Sequence, residues 1–377
     1  MNILIGADFV AGKSNAALFA AGDVQELVGE ELLQILREAD YRIFNLELPL
    51  TNRETPIAKC GPNLIAPTEC IAGYRAAGVD LLTLANNHIM DQGQQGLEST
   101  LQLLRENDIH AVGAGKTPEE AAKPFIFSCD GKSIGVYACV EHEFSVVTGS
   151  SAGANPIDLL EAPDHIAALK AQCDYVIVLY HGGKEYYRYP SPNLQRVCRK
   201  LVEKGADLVL CQHSHCIGCE EKYRDGTIVY GQGNFLFDEA DNEFWQTGLL
   251  VKIGDNFEIS YLPLVKAGNG VRLAEENRSR EILDGFRKRS EEIRQPDFVR
   301  VRYGEFADSF FPKYMNIFKG KESLLYKVLN KLSRNALRKW SLRRKYGTAQ
   351  LFSLWNCVDC EAHRELLLRG IQEKAKK

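Results

Sequence analysis

Residues 81–93 read Leu-Leu-Thr-Leu-Ala-Asn-Asn-His-Ile-Met-Asp-Gln-Gly, and this stretch decides the fold. It opens as a short apolar run, Leu81–Leu84, breaks into the polar cluster Asn86, Asn87, His88 and Asp91, and leads into a segment where Leu97, Leu101 and Leu104 keep helical spacing. A buried strand, a polar turn and an amphipathic helix in that order form the unit of an α/β protein. The pattern recurs along the chain. Apolar runs at Ile3–Ile5, Ile43–Leu48, Tyr175–Tyr180 and Leu208–Cys211 are short and rich in Val, Ile and Leu, as strands buried on both faces are. Between them, Val24–Ala39 and the segment carrying Leu194, Val197 and Leu201 read as helices.

Each run ends near a polar residue able to bind a metal. Asp8 follows the first, Asn45 and Glu47 sit in the second, His181 ends the fourth, and His213 and His215 follow the fifth. Carboxylate, amide and imidazole suit hard and borderline divalent metals, with Mn, Fe or Zn all compatible. Strand alternation would put Asn45 and Glu47 on one face, and an extended chain would project His213 and His215 to one side. Asn87 offers a carbonyl ligand. His88 beside it would serve as a general acid, with Asp91 close enough to orient its ring. Gly182 and Gly183 after His181 allow close approach of backbone and ligand. The remaining histidines, His110, His142, His165 and His363, lack this context and are read as structural or surface residues.

Further strands are expected over Phe125–Val140, as a hairpin turning at Asp130–Gly131, on either side of Gly254-Asp255-Asn256, and along Thr227–Phe237. The core is therefore read as a mixed sheet or two sheets with helices outside. The strand pattern stops around Gly268–Arg280. From about Glu281 the chain reads as mainly helical, with extended interruptions near Pro296 and Pro312.

The 377 residues carry a formal net charge of −4, but from Val271 onward 25 Lys and Arg stand against 14 Asp and Glu. An acidic body with a basic appendage follows. Lys319–Tyr346, with Leu324, Leu325, Val328, Leu329, Leu332, Leu337 and Trp340 on a basic background, is read as a helix packed on the body, or as a contact for an anionic membrane or polymer. Nucleic acid is not expected, because no recognisable binding motif accompanies the charge. The start MNILIGADF reads as a strand and not as a signal peptide, and no long apolar run predicts a membrane span, so a cytoplasmic location is expected. The 11 cysteines are then expected as reduced thiols. Two C-x-x-C pairs, Cys216 with Cys219 and Cys357 with Cys360, leave a structural zinc as one reading.

The order of motifs resembles the poly-γ-glutamate capsule synthesis (CapA) family of the calcineurin-like metallophosphoesterase superfamily. The matching residues are Gly6-x-Asp8, Asn45-x-Glu47, Asn86-Asn87-His88-x-x-Asp91-x-Gly93, His181-Gly182-Gly183-x-Glu185-Tyr186, Gly205-Ala206-Asp207 through His213-x-His215, and Tyr230-Gly231-x-Gly233-Asn234-Phe235-x-Phe237-Asp238. The resemblance covers roughly residues 1–265 and implies a four-layer α/β/β/α sandwich; with the end of the strand pattern near Gly268, that domain is expected over 1–268 and a basic, mainly helical extension over 269–377. The resemblance also implies one or two divalent metals, with Glu47 at the bridging position, Asn87, His181 and His213 completing one site, and Asp8 and His215 serving the other. Asn45, Glu185 and Asn234, within the same motifs, would meet substrate. Two departures stand out: Val10 occupies the position where the superfamily usually has a histidine, and Glu47 one where it usually has Asp.

The expected function is a metal-dependent hydrolase linked to capsule or exopolymer biosynthesis (poly-γ-glutamate or polysaccharide), with His88 donating a proton to the leaving group. The alternatives are an amide- or peptide-directed enzyme, hydrolase or epimerase, on the same site, and a non-catalytic polymer-binding component of a synthesis complex. The basic extension would contact such a complex or the inner face of the membrane.

Overall fold

A computed structural model describes residues 1–237, 242–319 and 324–375. The strands are β1 (Ile3–Asp8), β2 (Tyr41–Asn45), β3 (Leu81–Thr83), β4 (His110–Val112), β5 (Ala114–Gly115), β6 (Phe125–Cys129), β7 (Lys132–Val140), β8 (Gly153–Ala154), β9 (Tyr175–His181), β10 (Leu208–Gln212), β11 (Glu220–Tyr223), β12 (Gly226–Val229), β13 (Thr247–Ile253), β14 (Ile259–Ala267) and β15 (Gly270–Leu273). The helices are α1 (Ala16–Ala21), α2 (Val24–Val28), α3 (Glu30–Glu38), α4 (Ile71–Ala76), α5 (Gly93–Glu106), α6 (Pro118–Ala122), α7 (Ala162–Lys170), α8 (Pro192–Glu203), α9 (Glu276–Glu292), α10 (Phe298–Lys319), α11 (Leu324–Leu332), α12 (Ala336–Lys345), α13 (Thr348–Asp359) and α14 (Glu361–Ala375).

Two large sheets form. One runs β15-β14-β13-β1-β2-β3-β4 and the other β11-β12-β10-β9-β7-β6. In the first, β1 to β4 are parallel and β13 to β15 antiparallel. In the second, β7, β9, β10 and β12 are parallel, with β6 and β11 antiparallel at the edges.

Strand pleat separates the two faces of the second sheet. Ile134, Val136, Ala138, Val140, Ile177, Leu179, Leu208 and Leu210 enter the same core as Ile3, Ile5, Ile43 and Leu81 of the first sheet. Their sequence neighbours Tyr137, Cys139, Val176, Val178, Tyr180, Val209 and Cys211 pack instead on Ile166 and Leu169 of α7 and on Leu194, Val197 and Leu201 of α8. Helices α1 to α5 supply Phe19, Leu27, Leu32, Leu36, Leu97 and Leu104 to the core of the first sheet. The order of layers is helix, sheet, sheet, helix, as the resemblance implied.

Contacts divide the chain into two units, Met1–Arg300 and Val301–Lys377. The boundary expected at residue 268 lies inside the first unit. Strand β15 pairs with β14, and α9 buries Ile282 and Phe286 in the main core, so the change in charge precedes the change in packing.

Several elements differ from expectation. The helix expected over Val24–Ala39 is two helices, parted at Gly29. This glycine holds φ 75°, and a Cβ there would lie 2.4 Å from Arg272. Strand β2 stops at Asn45, so Leu46–Leu48 belong to the following loop. The run Thr227–Phe237 leaves the sheet after Val229, because Gly231 and Gly233 turn with φ of 125° and 73°. Asp238, the last residue of that motif, and residues 320–323 lie outside the described residues. Pro296 does separate α9 from α10, but Pro312 lies inside α10. Rings of Phe306, Phe310 and Tyr314 at i,i+4 spacing pack in succession past that proline, with centroids 4.6 and 6.3 Å apart, and hold the helix together. The Lys319–Tyr346 stretch holds two helices, α11 and α12, parted by a turn at Arg334 and Asn335, both with positive φ. Among the described residues no helix is long and apolar enough to cross a membrane.

Candidate metal centre

The carboxyl ends of the parallel strands in both sheets meet at one place. Asp8 closes β1 opposite Asn45, which closes β2 opposite Thr83. On the other sheet His181 closes β9 opposite Gln212, the last residue of β10. The β1–β2 register shifts between Ile5 and Asp8, a bulge that re-aims the aspartate. Gly6 is required there, since a Cβ would lie 2.4 Å from the Phe44 ring. The 84–92 turn is stapled by Asn86. Its Oδ1 accepts from the backbone N–H of His88 (3.1 Å) and Ile89 (2.8 Å), and its Nδ2 donates to Asn45 Oδ1 (3.1 Å) and the Leu46 carbonyl (2.8 Å). His213 and His215 are not extended as expected. Both hold left-handed φ, 80° and 51°, a costly conformation for a residue with a Cβ, of the kind that concentrates at functional sites.

The donors converge in a buried cluster. His181 Nε2 lies 3.0 Å from Asn87 Oδ1, 3.1 Å from His213 Nδ1 and 3.3 Å from Glu47 Oε1. Beside it, His215 Nδ1 lies 2.9 Å from Asn234 Oδ1 and 3.4 Å from Asp8 Oδ2. Donor atoms of Glu47, His213 and His215 fall within 4.8 Å of one another. All seven residues are buried.

A cation fits these residues. Glu47 Oε1 and Asp8 Oδ2 face the imidazole nitrogens of His181 and His215 at 3.3 and 3.4 Å, while Glu47 Oε2 and Asn234 Nδ2 are buried without a hydrogen-bond partner. Buried carboxylate oxygens left unsatisfied are costly unless a positive charge meets them. Donor separations near 3.0–3.3 Å match the edges of a coordination shell with bonds of about 2.1 Å. No cysteine joins the cluster. Cys216 and Cys219 are buried, and burial raises both thiols, keeping them protonated.

Electrostatics agree. Burial raises Asp8, and the charge of Glu47 raises it further. Burial works against Glu47 as well and is the largest single effect, but the charge and close contact of His181, with the charges of His215 and His88, together outweigh it and hold Glu47 below the usual carboxylate range. The two carboxylates compete, and Glu47 ionises first. Burial drives His213 well below the ordinary histidine value, with His181 and His215 adding to the effect. His213 is therefore neutral, as a metal ligand must be. His215 is opposed by burial, yet its bond to Asp8 and the charges of Glu47 and Asp8 lift it to about 9.

A second group adjoins the cluster. His88 Nδ1 lies 2.5 Å from Asp91 Oδ2, which also accepts from the Leu64 N–H at 2.6 Å. The other Asp91 oxygen accepts from Lys59, whose side chain is 3% exposed. With Nδ1 engaged, Nε2 is the nitrogen of His88 left for proton exchange. His88 and His215 both line a cleft of about 410 Å³. Its walls include Val10, Lys13, Ile65, Glu185, Tyr186, Phe237 and Trp245. Two larger grooves of about 520 Å³ lie elsewhere and contain no residue of the cluster.

The structure thus brings together Asp8, Glu47, Asn87, His181, His213 and His215, with His88 and Asp91 alongside, and sets Glu185 in the cleft wall. Asn45 was expected to meet substrate, but it is fully buried. Its Nδ2 donates to Asp8 Oδ1 at 2.7 Å, so it orients Asp8. Asn234 likewise holds His215. Lys59, and Ser145, whose Oγ donates to the Asn87 carbonyl at 2.7 Å, were not anticipated. Both come from loops without periodicity, and no sequence signal marks them.

Residues 4–239 match the family model for the bacterial capsule synthesis protein PGA_cap. The capsule biosynthesis protein CapA of Bacillus anthracis is 30% identical over 217 residues, 54% of this chain and 52% of that one. The PGA biosynthesis protein CapA of Bacillus subtilis strain 168 is 29% identical over 210 residues, 55% of each. The chain spans about half the length of these curated relatives. Among solved structures, a novel phosphatase from Mycoplasma pneumoniae aligns with a TM-score of 0.43 at 13% identity, covering 76% of this chain and 98% of that one.

Proposed function

This chain belongs to the bacterial capsule synthesis protein family, and from that premise we propose that it is a metal-dependent hydrolase of capsule or exopolymer metabolism, cutting a bond in an anionic polymer or its precursor. The observation that carries this reading is the pairing of a ligand cluster holding an unsatisfied carboxylate oxygen with a histidine–aspartate pair on the same cleft. Glu47, Asn87, His181 and His213 would hold a divalent cation (Mn, Fe or Zn), with Asp8 and His215 beside it. Such a cation, when bound, lowers the pKa of a coordinated water and offsets negative charge as it develops.

The protein's own groups do the rest. Asp91 accepts from Nδ1–H of His88 and fixes the ring, so that a proton taken up on Nε2 makes an imidazolium facing Asp91, the form that gives that proton to a leaving group in the cleft. Lys59 and the Leu64 N–H hold Asp91 in turn, which keeps the imidazole in one orientation. Trp245, Phe237 and Tyr186 wall the cleft with aromatic surface, while Lys13 sets a cation in its lining. Asn45 and Asn234 keep Asp8 and His215 aimed at the cluster.

A second reading, amide-directed chemistry on the same residues, draws on Val10. It is buried and apolar and offers no donor, which leaves Asp8 and His215 as a thinner ligand set and favours one strongly held cation over two. The test is hydrolysis of a generic phosphodiester and of a γ-glutamyl amide by metal-reconstituted protein, beside His88→Asn. On one of the two, His88→Asn should lower kcat by about 10²–10⁴-fold with metal content unchanged. Equal rates for the variant and the parent protein on both substrates would overturn the assignment of His88. No turnover of either substrate would favour a polymer-binding assembly role.

A further inference from the structure

Helix α11, Leu324–Leu332, is amphipathic the wrong way round for a helix packed in a water-soluble protein. Leu324, Leu325, Val328, Leu329 and Leu332 share one stripe by helical spacing, and they are exposed by 79, 69, 50, 46 and 75%. The opposite side carries Asn330, which is buried. Its Nδ2 donates to Asn335 Oδ1 at 2.8 Å, and its Oδ1 accepts from the Arg338 N–H at 3.0 Å. The polar side of the helix thus faces the neighbouring turn and helix, and the apolar side faces outward. Exposed Lys327 and Lys331, at i and i+4, border the stripe. On α12, Trp340 is 58% exposed, with the Arg344 guanidinium 5.5 Å from its ring.

We propose that this apolar stripe docks on the surface of an anionic lipid bilayer. Charge selects that occupant. From Lys319 to Tyr346 the sequence holds ten Lys and Arg against one acidic residue, Glu322. A second copy of the segment would set those cations against their like. A nucleic acid would satisfy the cations but leave the leucines in water. An anionic membrane takes both, with the leucines at the acyl boundary and the lysines at the headgroups. At 1.5 Å per residue, nine residues span roughly 14 Å, too short to cross the hydrocarbon core, so α11 would lie in the interface. This inference does not depend on the chemistry of the metal cluster.

The experiment is flotation of the full chain with vesicles of phosphatidylcholine alone and with vesicles about one third phosphatidylglycerol. Binding should be at least about tenfold stronger to the anionic vesicles and should fall as salt shortens the screening length. Leu325→Ser with Leu329→Ser should abolish flotation, and Lys327→Gln with Lys331→Gln should weaken it about tenfold. Metal content and helicity should be unchanged in both. Three results would overturn the proposal: no preference for anionic vesicles, binding that survives the serine variant, or a lipid-free dimer that the serine variant dissociates.

Discussion

Lys59 and Asp91 provide the sharpest stability test. Both side chains are almost wholly buried, at 3% and 0% exposed, and they are bonded to each other. Removing one partner of a buried ion pair costs about 3–5 kcal/mol, because the other charge is left without compensation. In Lys59→Met, Asp91 keeps two contacts, the Leu64 N–H at 2.6 Å and His88 Nδ1 at 2.5 Å. The lower end, about 3 kcal/mol, is therefore expected. For a folded unit of about 300 residues that is a fall in Tm of about 5 °C. Asp91→Asn should cost a similar amount by stranding the ammonium. The double variant removes both charges and should cost little more than either single change, giving a coupling near 3 kcal/mol. Calorimetry on the four proteins measures the cycle. Singles within about 0.5 kcal/mol of the parent, or a double variant that is simply additive, would refute the reasoning.

Three further outcomes follow from the same geometry. Asn86→Ala removes four hydrogen bonds, two that brace the turn at His88 and Ile89 and two that tie it to Asn45 and Leu46, so stability should fall by about 2–4 kcal/mol and metal occupancy with it, read by calorimetry and elemental analysis. Gly6→Ala drives a Cβ into the buried Phe44 ring, packed against Phe9 and Phe235, and should cost about 1–3 kcal/mol in thermal unfolding. His215 rises from an ordinary 6.5 to about 9, so in metal-stripped protein its contribution is fully present below about pH 6.5 and is lost as pH rises through about 9. Metal-stripped protein should therefore lose more stability between pH 6 and pH 9.5 than metal-stripped His215→Gln does, and equal losses would remove His215 from that role.

The sheets and the convergence of most candidate site residues were legible because both rest on short-range pattern. Leu81–Leu84, Tyr175–Tyr180 and Leu208–Cys211 are buried on both faces and read as such, and a polar residue just past a buried strand has few bland explanations. Local geometry was less legible. His213 and His215 looked like same-side residues of an extended chain, yet they reach the cluster through left-handed turns. Asn45 looked like a substrate contact, because polarity at a strand end does not distinguish a residue facing a cleft from one facing Asp8. Lys59 had no local signal at all, since its partner Asp91 lies 32 residues on and only the tertiary fold joins them. The boundary near residue 268 was drawn from the end of the strand pattern and the change in charge beside it, whereas β15 and α9 are held to the first unit by strand pairing and by Ile282 and Phe286. The inverted face of α11 was visible in sequence as a leucine stripe, but its outward orientation was not.

On the proposed function, the residues converging from two sheets bind a divalent cation. Elemental analysis of the purified full chain, beside His181→Ala combined with His213→Ala, tests it most directly. The parent protein should carry at least one equivalent of Mn, Fe or Zn after reconstitution, and the double variant should lose it while keeping its fold by circular dichroism. Metal retained in the folded double variant, or a reconstituted parent that binds none, would contradict the claim.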